Sequence, residues 1–116
     1  MTKKREIGTK GENEAVNFLL ANGYNVVHRN FRFGRGEIDI IAQNDKVLVF
    51  IEVKTRNNSD FGYPEDFVSE SQQERIHLAA EEYIVKSSWQ GDIRFDVIAI
   101  LNDKDEHQLD HFEDAF

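Results

Sequence analysis

GEIDIIAQNDKVLVFIEVKTR, residues Gly36 to Arg56, holds two runs of strand-forming residues on either side of Asn44-Asp45, a pair suited to turns. Side chains alternate along a strand, so Val47, Val49, Ile51 and Val53 share one face and Leu48, Phe50, Glu52 and Lys54 the other. Both faces begin apolar, which predicts a strand covered on both sides. A turn centred on Asn44-Asp45 pairs Gln43 with Lys46 and sets Asp39 opposite Phe50. Asp39, Glu52 and Lys54 then project the same way, with the two acids as diagonal neighbours about 7–8 Å apart at Cα.

Two carboxylates leaving water together repel, and a buried charge needs a partner, so this pattern calls for a cation between them. Oxygen ligands suit Mg²⁺ or Mn²⁺, and magnesium commonly joins one or two carboxylates to substrate phosphate. An Asp and a Glu with a neighbouring Lys therefore fit metal-assisted phosphodiester hydrolysis, Lys54 orienting water or stabilising charge on phosphate. The alternative is structural: Glu52 and Lys54 pair at a strand end and Asp39 faces solvent.

The stretches GTKGENEA, RNFRFGRGEIDIIA, VFIEVKTR, VSESQQERIHLAAEEYI and RFDVIAI, spanning Gly8 to about Leu101, resemble the YraN-type family of the PD-(D/E)xK restriction-endonuclease-like superfamily, related to archaeal Holliday-junction resolvases. The resemblance implies a metal-dependent nuclease-like domain, with Glu12, Asp39, Glu52 and Lys54 on the family's site positions. Where such proteins commonly carry a Lys near the start of the second long helix, this chain has Gln72 and Gln73.

A chain of 116 residues, 40% hydrophobic, is long enough for one domain with a real core. No apolar run approaches the roughly 20 residues that span a membrane, and MTKKREIGTK lacks a signal-type apolar segment, so a cytoplasmic location is expected. The absence of cysteine excludes disulfides and thiolate chemistry. Net charge is −8, yet residues 1–56 hold ten Lys or Arg against seven acids, and residues 57–116 four against fifteen. The basic half carries the candidate site. Arg29, Arg32, Arg35, Lys54 and Arg56 either form a positive surface for nucleic acid, DNA being the expected partner, or are exposed residues of an edge strand.

Along the chain, Thr9-Lys10-Gly11-Glu12 reads as a capping box opening a helix with Ala15, Val16, Leu19 and Leu20 as its stripe. Tyr24 to Phe33 reads as a strand, and Gly34-Arg35-Gly36 turns the chain. NNSDFGYPEDF forms a polar loop whose Phe61 or Tyr63 either stacks on a base or packs on the core. Ser69 caps a second helix in the pattern Ser-x-x-Gln, with Gln72 one turn before Ile76 at the end that favours phosphate. Ile93 to Leu101 is the last expected strand, with Asp96 as a supporting acid or the partner of Arg94 or Lys54.

The order helix, strand, strand, strand, helix, strand predicts an α/β fold with a restriction-endonuclease-like mixed sheet in residues 1–102. Residues 103–116, with six acids to one lysine, are expected as a frayed acidic C-terminal tail. Function follows as a divalent-metal-dependent, endonuclease-like phosphodiesterase, with catalytic Asp39, Glu52, Lys54 and Glu12, the three acids as metal ligands, and Arg35, Arg56 and Gln72 on nucleic acid. A weakly active or inactive binding module with the same fold is the alternative, and DNA against RNA stays open.

Overall fold

Three strands joined by tight turns form the first half of a five-stranded sheet, ordered β1-β2-β3-β4-β5, in a computed structural model that describes residues 2–56, 68–103 and 106–116. The elements are α1 (Thr2–Ala21), β1 (Asn25–Phe33), β2 (Gly36–Asn44), β3 (Val47–Arg56), α2 (Glu70–Ser87), β4 (Asp92–Asn102) and β5 (His107–Phe112). β1, β2 and β3 run antiparallel as a meander. The α2 crossover returns β4 parallel to β3, as the connection lengths require. The Phe61 and Tyr63 expectations lie outside the described residues.

Each face of the sheet carries one helix. Leu48, Phe50, Ile41 and Val97 pack with Ile76, Ala79 and Ala80 of α2. Val49, Ile51, Ile40, Ile98 and Ile100 pack with Ala15 and Leu19 of α1 on the other side. The double cover explains why VLVFI is apolar on both faces, and the small Ala79-Ala80 pair is fully buried against the strands. Ser69 caps α2 as expected, its side chain accepting from the Gln72 N–H.

Three expectations need correction. The hairpin turn sits at Asp45-Lys46, with Asp45 at φ 56°, so Gln43 pairs with Leu48 and Asn44 with Val47. Aspartate tolerates the left-handed region that such a tight turn demands, and the register moves by two residues. An even shift leaves every side chain on its expected face. Next, α1 begins at Thr2, so Thr9 lies inside the helix and the capping box is not formed.

The third correction is the tail. His107–Phe112 pairs antiparallel with β4 and closes the sheet as β5. Its acids do not stand alone: Glu113 pairs with Arg94 at 3.4 Å, and Phe112, Ala115 and Phe116 pack on the α2-side core. His111 Nε2 lies 2.7 Å from Asp96 Oδ2, and the Asp114 N–H donates to Asp96 Oδ1 at 3.0 Å. An otherwise costly buried acid and an acidic strand complete each other.

The two glycines at the entry to β2 divide their work. Gly34, at φ 61°, supplies the turn. Gly36 permits close approach, since a Cβ there would strike the carbonyl oxygen of Arg75 on α2.

Candidate active site

Asp39 stands where the strand alternation slips. Ile38 packs on the α2 side and Ile40 on the α1 side, although strict alternation would place them together. Across from it the β1–β2 pairing passes from Arg29–Ile40 to Phe31–Ile38, with Asn30 between them at φ 55°. The β2–β3 pairing ends at Ile40–Ile51. Beyond that step the Asp39 carboxyl comes within hydrogen-bonding reach of the Glu52 side chain. The Asp39 side chain then takes over part of the ladder, its Oδ2 accepting from the Val53 N–H at 2.9 Å.

Glu52 is almost fully buried, at 6% exposure. Its Oε2 accepts from Gln72 Nε2 at 2.6 Å and meets Lys54 Nζ at 3.2 Å. Alternation puts Glu52 and Lys54 on one face of β3, and the Ser69 cap places the first turn of α2 over that face, so Gln72 reaches down to the carboxylate. Burial, and then the charge of Glu52, push the Asp39 carboxyl up to about 8. At neutral pH the Asp39 carboxyl therefore holds its proton. Hard oxygens from Asp39 and Glu52 suit Mg²⁺ or Mn²⁺.

A cavity of about 140 Å³ opens at this pair, lined by Arg35, Gly36, Glu37, Asp39, Glu52, Gln72, Arg75 and Ile76. The expected Arg35 and Gln72 belong to it. Arg56 does not: its guanidinium donates to the carbonyl of Thr55. Glu12 approaches from α1 outside the cavity lining, held 3.7 Å from Arg29 Nη2. Burial raises its carboxyl above the usual range, against the opposing pull of Arg29. Among the described residues no three acids or imidazoles gather closely enough to hold an ion by themselves. Sequence reasoning missed Arg75, although it follows Gln72 by three positions and so shares its helix face.

Asp96 lies apart, fully buried in β4 and bound by Arg94 through contacts of 2.8–3.2 Å. Arg94 also donates to the Tyr24 hydroxyl at 2.7 Å. Asp96 is thus the partner of Arg94 rather than of Lys54. The His107 and His111 imidazoles go to different carboxylates, Glu14 and Asp96. No described helix is long and apolar enough to cross a membrane.

A family model described as "Uncharacterised protein family UPF0102" matches residues 11–100, which span Glu12, Asp39, Glu52, Lys54, Gln72 and Arg75. The UPF0102 protein FP2501 of Flavobacterium psychrophilum is 41% identical over 116 residues, covering 100% of this chain and 98% of the relative. A UPF0102 protein of Phocaeicola vulgatus is 40% identical over 116 residues, covering 100% and 96%. A third, of Caldicellulosiruptor saccharolyticus, is 42% identical over 105 residues and covers 89% of each chain.

Proposed function

We propose, of a chain that belongs to the uncharacterised protein family UPF0102, that it is a divalent-metal-dependent phosphodiesterase of endonuclease type acting on DNA, with a restriction-endonuclease-like core. The observation that carries this reading is the half-buried Asp39 beside the buried Glu52, in a cavity that Arg35 and Arg75 also line, with Lys54 on the Glu52 carboxylate.

The donor set fits Mg²⁺ or Mn²⁺, because burial and the charge of Glu52 oppose ionisation of Asp39, and a divalent cation would balance both carboxylates. When bound, the cation makes a water more acidic and polarises a phosphoryl oxygen. The protein's own residues supply the rest. Arg35 and Arg75 neutralise phosphates entering the cavity. Gln72 fixes the Glu52 carboxylate, which in turn holds the Lys54 ammonium near the charge that develops on phosphorus. Water oxygen forms the new bond to phosphorus, the bond to one sugar oxygen breaks, and that oxygen takes up a proton as it leaves. Glu12 assists through its field on Asp39.

A second reading is a binding module of the same fold that does not cut. It is favoured by the net charge of −8 and by Gln72 standing where a cation would serve phosphate. Cleavage of junction, flap, single-stranded and duplex DNA, with RNA counterparts, in Mg²⁺ or Mn²⁺ separates the two. Metal-dependent nicking lost in Asp39→Ala is expected. Absence of cleavage on every substrate, with retained binding, would establish the second reading.

A further inference from the structure

Beside the acidic cavity lies another, of about 200 Å³, lined by Phe33, Gly34, Arg35, Gly36, Arg75 and Leu78. Arg35, Gly36 and Arg75 belong to both, so the two cavities share one wall. That wall is firm: Gly36 packs so closely on the Arg75 carbonyl that no side chain fits between the hairpin and α2. Phe33 is held by pairing with Gly36 at the last step of the β1–β2 ladder. Its ring and the Leu78 side chain are nevertheless exposed, at 44% and 57%. Phe33 and Leu78 thus form one exposed apolar patch in a hollow that two arginines also line.

We propose that the second cavity is a subsite for the base of an unpaired nucleotide adjoining the phosphate held at Asp39 and Glu52. The phosphate position rests on the phosphodiesterase reading above. A nucleic-acid strand alternates an anion with a flat, largely apolar ring. The surface here alternates in the same order: an acidic metal-type cavity for the scissile phosphate, a guanidinium pair for its charge, then an apolar hollow edged by an aromatic face. A peptide or a second copy of the chain would match Phe33 and Leu78 but would leave the two guanidiniums without anions. A base in a duplex is stacked and paired, and cannot reach a protein hollow unless it is extruded or single-stranded. Base stacking on an aromatic side chain is sequence-tolerant, because every base has a π-face. The substrate class is therefore DNA with an unpaired nucleotide at the cut, and Phe33 selects it.

Binding is measured with Ca²⁺ in place of Mg²⁺, product formation being checked on the same samples, with a single-stranded oligonucleotide carrying 2-aminopurine, the same sequence as duplex, and an abasic version. The native chain should prefer the single strand and quench the probe. Phe33→Ala should weaken single-strand binding by about tenfold, the loss expected for one stacked base, and leave duplex binding unchanged. Phe33→Trp should restore it, which shows that the ring and not the fold is at issue. Equal effects on single strand and duplex, no effect on either, or no oligonucleotide binding by the native chain would each overturn the subsite. A parallel cleavage assay in Mg²⁺ separates the two proposals. Asp39-dependent cleavage with Phe33-independent binding sinks the subsite alone, whereas Phe33-dependent binding without cleavage sinks the phosphodiesterase and keeps the subsite.

Discussion

Gln72 Nε2 lies 2.6 Å from Glu52 Oε2, the same oxygen that Lys54 Nζ approaches at 3.2 Å. One carboxylate oxygen thus receives a neutral donor from α2 and a cation from its own strand. Gln72→Lys replaces the neutral donor by a second cation at the rim of the cavity. Oligonucleotide affinity should rise, and its salt dependence should steepen by roughly 0.7–0.9, one further phosphate contact. Titrations at several salt concentrations test this; an unchanged slope would take the start of α2 off the phosphate path.

The Asp39 carboxyl gives a pH signature. Its folded value, pushed up to about 8 first by burial and then by Glu52, stands above the ordinary 3.8. Between these values the folded chain binds more protons at this group than the unfolded chain, so its contribution to stability declines as pH rises from about 4 to about 8 and is level beyond. The difference in melting temperature between native and Asp39→Asn should therefore shift against the native chain across that window. Mg²⁺ should reverse the trend in the native chain alone, binding more tightly as pH rises and releasing a proton. A metal response that survives in Asp39→Asn would remove the site.

Much of this was legible in the residues, and the losses have physical causes. Alternation in VLVFIEVKT placed Glu52 and Lys54 on one face, and that parity survived a wrong turn because a shift of two residues preserves it. The two-residue register shift and the slip at Asp39 were not legible, since they depend on the left-handed Asp45 and Asn30. Composition misled at both ends of the chain. The basic start extends α1 well beyond Thr9, and the acidic tail pairs with β4 because Asp96 and Arg94 await it there. Periodicity names the face of α2 but not the reach of a side chain, so it does not mark Arg75 as lining the cavity with Gln72.

Lys54→Ala distinguishes structure from chemistry. The ammonium is mostly buried beside Glu52, but the Gln72 amide remains on the same oxygen after its removal. The melting temperature should change little, and metal binding should hold or improve as a competing cation leaves. Cleavage should fall by about a hundredfold or more, the scale for loss of a preorganised charge-stabilising donor. A folded, metal-binding variant that cuts at the native rate would end the mechanism.

Gly36→Ala tests the wall between the two cavities. The added methyl would meet the Arg75 carbonyl oxygen, a backbone atom that moves only if α2 moves. Overpacking of this kind costs about 1–3 kcal/mol, read as a lower denaturant midpoint. Cleavage should fall further than stability explains, because α2 also carries Gln72 onto Glu52. At Gly34, where a Cβ meets nothing but φ is 61°, alanine should cost stability through backbone strain and leave cleavage closer to native. Equal activity losses at both glycines would deny the wall a role.

His111 tests whether the C-terminal strand belongs to the cooperative fold. Asp96 is fully buried, and burial alone would raise its carboxyl; hydrogen bonds from His111 and Arg94, with the Asp114 amide, outweigh that and hold it below the ordinary range. A lowered folded value contributes stability that is present above the unfolded value of 3.8 and lost as pH falls through the folded one. His111→Ala removes one donor, so it should cost about 1–3 kcal/mol near neutral pH and make acid unfolding begin at higher pH. Deleting residues 103–116 removes the Asp114 amide and the Phe112 and Phe116 packing as well, and should lower the melting temperature more than His111→Ala. Arg94 then remains on Asp96 through contacts within β4, which limits the loss. A truncated chain that melts like the native one would return these residues to the role of a frayed tail.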